Sequence, residues 1–363
     1  MMSSQDFEQL KVLEQATRAA AEIFTQKPRQ HAALAYLAQR GIDAGGLGEA
    51  WVIGYAPPGW TRLTSELRSA YDEQVLLDAG LARRSSRGSL IDAFRDRVLF
   101  GIRKPDGTIA GFIGRDLSGD PGAPKYLNST QSPLFDKGSL LFGLNEGLAC
   151  EGASQPVVVE GPVDVLAIAA RQYNGGALLP VAACGTAFTV THARQVADVA
   201  RANRTAVVVA MDGDGAGRKA ALDAGERLRY VDADARVAAL PNGTDPADHL
   251  APPRATLDVF VAANAQPLIT LHVRDAIARQ GDRMQWVEGR LGAAREITAY
   301  LATYPASEAA RQIGWLADVL GLDAHTVTAE LADAFGRANA ERTACPEIPP
   351  RHLAAAPTIG GIG

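Results

Sequence analysis

Cysteine is nearly missing from this chain: only Cys150, Cys184 and Cys345 occur in 363 residues. They form no Cys-x-x-Cys pair and show no zinc-ligand spacing with the six histidines, so no zinc is expected. A count so sparse and odd also excludes a disulfide-stapled secreted fold. No stretch reaches eighteen continuous apolar residues, which excludes a membrane-spanning helix. Met1 to Glu14 is polar and charged and has no signal-peptide core. A Gly-x-x-x-x-Gly-Lys-Ser/Thr loop is also lacking, so there is no P-loop ATPase unit. The net charge of −5 does not advertise nucleic-acid binding, but acidic clusters bias that sum and local charge matters more. Apolar residues make up 47% of the chain, enough for a sizeable core in two or three domains. A cytoplasmic, globular protein is expected.

Three acidic clusters stand where buried strands should end. They are Val157-Val158-Val159-Glu160-Gly161-Pro162-Val163-Asp164, Val207-Val208-Val209-Ala210-Met211-Asp212-Gly213-Asp214, and Leu240-Pro241-Asn242-Gly243-Thr244-Asp245-Pro246-Ala247-Asp248. Valine runs need burial on both faces, as in a parallel sheet. Ligands of such sheets bind beyond the carboxyl ends of the strands. Glu160, Asp164, Asp212, Asp214, Asp245 and Asp248 are thereby expected on one edge. Carboxylates gathered there repel one another unless a hard cation such as Mg²⁺ neutralises them, which points to metal-assisted phosphoryl chemistry.

The surrounding pattern gives the organisation. Apolar spacing predicts helices over 5–25 and 29–40, a short strand at Trp51 to Tyr55 closed by Pro57-Pro58-Gly59, and helices over 61–70 and 72–79. A hairpin is expected from 97–102 and 109–113 around Pro105-Asp106-Gly107, followed by a loop-rich segment to about 145. From 155 onward strands at 156–160, 178–183, 206–211 and 235–240 alternate with helices at 163–171, 190–201 and 216–228. Residues 255–340 read as helical, and the Pro-, Ala- and Gly-rich segment 341–363 as a disordered tail. The fold class is therefore α/β, or α+β overall.

Each acidic motif alone has blander readings. Asp212-Gly213-Asp214-Gly215-Ala216-Gly217 resembles half of an EF-hand calcium loop, but a strand precedes it and Ala216 occupies a ligand position. Haloacid-dehalogenase phosphatases want Thr where Ala216 stands. Asp164 and Asp214 could simply cap the helices that follow them. Capping does not explain why the acids recur at successive strand ends.

The order Glu-Gly-x-x-Asp, Asp-x-Asp-x-x-Gly, Asp-Pro-x-Asp resembles the Toprim domain shared by bacterial primases and topoisomerases. The flanks narrow the resemblance to the RNA polymerase core of DnaG-type bacterial and phage primases. They are Ile53-Gly54-Tyr55-Ala56-Pro57-Pro58-Gly59-Trp60, Phe94-Arg95-Asp96-Arg97-Val98, Gly111-Phe112-Ile113-Gly114-Arg115, Pro124-Lys125-Tyr126-Leu127-Asn128-Ser129, Phe135-Asp136-Lys137-Gly138 and Cys184-Gly185-Thr186-Ala187. The resemblance covers roughly residues 5–330. It implies a basic α/β subdomain over 1–149, a Toprim domain over 150–260 and a helical subdomain over 261–340.

The charge pattern agrees. Residues 83–137 hold ten Lys or Arg against six Asp and no Glu, a composition suited to gripping a nucleic-acid backbone and nucleoside triphosphates. The blander reading is a solvated surface with ordinary salt bridges. The resemblance implies metal-dependent primer synthesis on single-stranded DNA. Glu160, Asp212 and Asp214 would be catalytic and hold Mg²⁺ or Mn²⁺, with Asp164, Asp245 and Asp248 as supporting ligands. Arg97, Arg115, Lys125, Tyr126, Asn128 and Lys137 would line the groove, joined by Gly185, Thr186 and Arg218. Trp60 reads as a packing residue beside the Pro-Pro-Gly turn. No zinc-binding module is recognisable, so a separate zinc-binding subunit is an expected partner, beside a replicative helicase. A Toprim-type nuclease and a non-catalytic single-strand-binding replication protein are the alternatives.

Overall fold

A computed structural model describes residues 4–48, 50–171, 177–238, 240 and 265–344. The chain divides into two compact units, the first ending at Leu271 and the second beginning at His272.

The first unit opens with helices α1 (Ser4–Phe24) and α2 (Lys27–Gln39), the second carrying Pro28 in its first turn, where a missing N–H costs nothing. Strand β1 (Ile53–Ala56) follows, then the short helices α3 (Arg62–Leu67) and α4 (Glu73–Asp78). A small hairpin, β2 (Ala82–Arg84) and β3 (Leu90–Asp92), precedes the long hairpin β4 (Arg97–Arg103) and β5 (Ile109–Asp116), and β6 (Tyr126–Asn128) lies beyond it. Strands β1, β4, β5 and β6 form one antiparallel sheet in the order β1-β4-β5-β6.

The second sheet holds β7 (Leu141–Phe142), β8 (Gln155–Val159), β9 (Leu178–Ala183), β10 (Val207–Val209), β11 (Ala235–Ala238) and β12 (Ala265–Pro267). Helix α5 (Leu144–Leu148) follows β7, and helices α6 (Pro162–Arg171), α7 (Val190–Asn203) and α8 (Gly215–Tyr230) follow β8, β9 and β10. The strand order is β12-β11-β10-β8-β9-β7. The four inner strands run parallel, as their valines require, with Val158 beside Val209 and Val181. Both edges are antiparallel.

These edges add to the sequence reading in one place and correct it in another. The loop-rich segment before 145 also contributes the short strands β6 and β7, and Ala265–Pro267 is a strand where a helical region was expected. The β2–β3 hairpin was not foreseen either. The last described helix runs through Ala344, three residues beyond the start of the expected tail, whose remainder lies outside the described residues.

One buried cluster joins the two sheets: Val98, Phe100 and Ile102 of β4 pack with Phe142, Val157 and Val159. Phe100 and Phe142 meet with ring centroids 6.1 Å apart. Each fully buried Phe, Leu or Val contributes ~1.5–3 kcal/mol relative to exposure, so this shared core fixes the first sheet against the second.

The second unit is helical. Helix Val287–Leu301 buries Ala293, Ala294, Ile297 and Leu301, one face at 3.6-residue spacing, and packs on helix Ala324–Ala344. Arg295 and Glu330 pair between these helices at 3.1 Å. Among the described residues no helix is long and apolar enough to cross a membrane.

Candidate functional site

The strand ends of the second sheet open into a cavity of about 440 Å³. Glu160 leaves the end of β8, Asp164 sits in the first turn of α6, and Asp212 and Asp214 follow β10; all four line the cavity. The opposite wall comes from the first sheet: Arg115 on β5, then Lys125, Tyr126 and Asn128 at β6. Gly185, after β9, and Arg40, after α2, complete it. Arg40 escaped the sequence reading, because nothing in its local pattern ties a helix end to a site some 120 residues downstream.

Two of the acids also cap helices. Asp214 Oδ1 accepts the Gly217 N–H at 2.7 Å, and Asp164 Oδ2 accepts the Gly161 N–H at 3.1 Å. The caps and the cavity are compatible, because each carboxylate has a second oxygen. Gly217 is required for closeness: a Cβ there would lie 2.2 Å from the Asp212 carbonyl oxygen. The helix start is thereby pressed against the strand end that carries the acids.

Tyr126 is half-buried between cations. The Arg115 guanidinium lies 5.2 Å from its ring centroid and the Lys125 ammonium 5.9 Å. Burial pushes its phenol up to about 12, so it stays protonated at neutral pH and can donate. Among the described residues, no three His, Cys, Asp or Glu side chains are drawn together tightly enough to hold a metal ion. Asp245 and Asp248 lie outside the described residues.

Lys137, Thr186 and Arg218 do not line this cavity. Lys137 is exposed in a turn that docks on α7, where Thr189 Oγ1 donates to Gly138 O at 2.7 Å and Gln195 Nε2 to Ser139 O at 3.0 Å. Arg218 turns back to the Gly213 carbonyl at 3.2 Å. Arg97 is buried: it donates to Gly114 O and Pro124 O at 3.0 and 2.9 Å and pairs with Asp116 at 3.4 Å.

A second cavity, about 680 Å³, lies across β6 from the first. Trp60, Arg83, Arg95 and Asp96 line it, together with the paired Arg97 and Asp116. Trp60 is 62% exposed, which corrects the packing role expected for it; the Pro-Pro-Gly turn presents the indole instead of burying it. The Arg95 guanidinium stands 4.2 Å from the indole centroid and is anchored to Asp92 O at 2.9 Å. Asp96 has φ +49°, and its carboxylate accepts the Tyr55 hydroxyl at 2.5 Å. That kink throws Arg95 outward and leaves Arg97 to enter the sheet. A flat aromatic face with guanidinium groups beside it suits an unstacked base and its phosphate.

Two family models match the chain: "DNA primase catalytic core, N-terminal domain" over residues 21–147 and "Toprim-like" over residues 157–250. The DNA primase of Streptomyces coelicolor is 33% identical over 341 residues, 91% of this chain and 52% of that protein. The DNA primase of Pseudomonas putida is 39% identical over 263 residues, 69% of this chain and 38% of that protein. The chain thus spans about half, or less, of the curated relatives it matches. The crystal structure of a DNA primase domain from Pseudomonas aeruginosa superposes with a TM-score of 0.72 at 31% identity, covering 88% of this chain and 99% of that one. A DnaG primase catalytic domain bound to ssDNA superposes at 0.69 and 30% identity, covering 86% and 99%.

Proposed function

Because the chain belongs to the DnaG-type bacterial primases, we propose that it joins ribonucleoside triphosphates into primers on single-stranded DNA. The observation that carries the proposal is the acidic cavity, with three carboxylates that follow strand ends and one in the first turn of α6 facing Arg115, Lys125 and Tyr126 across one space. Such a cavity suits a triphosphate, whose oxygens need cations on one side and whose metal needs carboxylates on the other.

The donor set is made only of hard oxygens, which fits Mg²⁺ or Mn²⁺. Glu160, Asp212 and Asp214, which line the cavity but do not converge to ligand distance in this structure, would close on the ion to hold it, supported by Asp164 and, by resemblance, Asp245 and Asp248. When bound, the ion supplies Lewis acidity at the α-phosphate. Arg115 and Lys125 neutralise the triphosphate, and the Tyr126 hydroxyl donates to it or to the sugar. Bond formation joins a 3′-hydroxyl to the α-phosphorus and releases pyrophosphate.

The template is assigned to the second cavity, where Trp60 stacks a base and Arg83 and Arg95 meet phosphates. Lys137, Thr186 and Arg218 keep an outer role, as contacts of the nucleic acid beyond the cavity. The same reading divides the chain into a basic subdomain over 1–149, the Toprim domain over 150–260 and a helical subdomain over 261–340. A replicative helicase and a zinc-binding subunit are its proposed partners, in the cytoplasm at the replication fork.

The test is incorporation of labelled ribonucleotides on single-stranded DNA with Mg²⁺ or Mn²⁺. Template-dependent RNA products are expected. Cleavage of the DNA without synthesis would replace this reading with a nuclease.

A further inference from the structure

The two cavities are separated by β6, a strand of three residues. Tyr126 lines the acidic cavity and Leu127 the second cavity, while Asn128 is, among the described residues, the one that lines both. A nucleotide paired to the template must cross this wall. Its triphosphate belongs with the carboxylates and its base with the template strand. The sugar, which joins them, passes over Asn128.

Asn128 is held for contact. Its neighbour Ser129 is buried, with Oγ accepting the Phe112 N–H at 3.0 Å and its own N–H donating to Phe112 O at 2.9 Å, so β6 cannot slide. On the other side Gly185, at φ +65°, leaves its Cα bare; a Cβ there would lie 2.0 Å from Asn128 Nδ2. The amide therefore rests on a glycine that leaves it no room to swing. Its Oδ1 is buried and has no hydrogen-bond partner among the described residues. A carboxamide carries both acceptor and donor, and a ribose 2′-hydroxyl is both donor and acceptor. A deoxyribose would leave the amide unsatisfied.

Resting on the reading above, we infer that Asn128 reads the sugar, and that its amide, braced by Gly185, selects ribonucleotides over deoxyribonucleotides. A site built to hydrogen-bond a substrate hydroxyl rejects the analogue that lacks it far more strongly than an apolar pocket does.

The test is single-nucleotide extension of a primer annealed to DNA, comparing kcat/KM for ATP and dATP. Asn128→Ala and the size-matched Asn128→Leu are expected to lose roughly 10- to 100-fold with ATP and less than about 2-fold with dATP, so discrimination collapses. Gly185→Ala, which displaces the amide without removing it, should shift the ratio in the same direction. Calorimetric titration with ATP and dATP in Ca²⁺ gives the same comparison without turnover. Parallel losses for both nucleotides, or unchanged discrimination in both Asn128 variants, overturn the inference. A wild-type chain that extends nothing sinks the proposed function instead, and the titration still decides the role of Asn128.

Discussion

The two cavities on either side of β6 are built on opposite plans. The acidic one takes its carboxylates from the ends of β8 and β10 and from the first turn of α6, each a few residues from the buried valines of its strand. The other collects Trp60, Arg83 and Arg95 from separate turns and a short hairpin, and steadies them with a buried ion pair below. In the first, topology does the gathering, and only Asp164 and Asp214 also hold a helix start. In the second, chemistry and stability share residues. The lesson is that charge at a strand end is cheap to hold, whereas an exposed aromatic platform needs a buried foundation.

The sharpest way to break this comparison lies in the acids. Glu160→Gln and Asp212→Asn are expected to lower primer synthesis by at least ~10³-fold, because both charge and metal affinity go. Thermal melting should stay within about 2 °C of wild type. Near-normal synthesis by either variant would remove it from the catalytic set.

Arg97 tests the other half. Arg97→Ala strands Asp116 and leaves the Gly114 and Pro124 carbonyls without their donor, so urea unfolding should show a loss of about 3 kcal/mol or more. Arg95→Ala should cost less than ~1 kcal/mol in the same measurement, because Arg95 stands outward over the indole. Equal losses would show that the foundation and the platform are not separate.

At the far end of β4, Arg103 pairs with Glu146 at 3.5 Å. Glu146 is 4% exposed, and burial pushes its carboxyl from 4.5 up to about 7. The folded state therefore holds a proton that the unfolded chain releases, and stability falls as pH rises from about 4.5 to about 7. Glu146→Gln should flatten that decline, by roughly 3 kcal/mol at most between pH 4 and 8. Chemical denaturation at several pH values reads it, and an unchanged slope would mean that the ionised pair is well compensated.

The smallest effect is expected at Trp60. Trp60→Ala should weaken single-stranded DNA binding about 10-fold, one stacked base, while the KM for nucleotides stays put. Fluorescence anisotropy with a labelled oligonucleotide checks the first and steady-state extension the second.

Much of the acidic cavity was legible beforehand because two signals coincided: valine runs fixed the strands, and the next polar residues had to stand at their ends. The second cavity was half legible. The basic excess of residues 83–137 was visible, but not which cations face out. Arg97 read as a groove residue, and it does line the second cavity with Arg95, but it is buried and tied to Gly114 O, Pro124 O and Asp116 while Arg95 stands over the Trp60 indole. The alternation starting at Arg97-Val98-Leu99 was the available hint. Trp60 read as packing because a Pro-Pro-Gly turn fixes where the chain reverses but not which way the next side chain points. Strands β7 and β12 are too short to display a period of two, and their pairing depends on partners far along the chain.

The shortest of these strands limits how the chain can be recombined. Leu141 and Phe142 fall within the N-terminal family match, 21–147, yet they pair with Ala183 and Ala182 on β9. A crossover placed between the two matches would carry off a strand of the sheet it means to transplant. The donor sheet would arrive with β9 bare and ready to pair with a stranger. Inheritance of the acidic sheet is thus bound to the segment before it, and grafts should be cut ahead of Leu141.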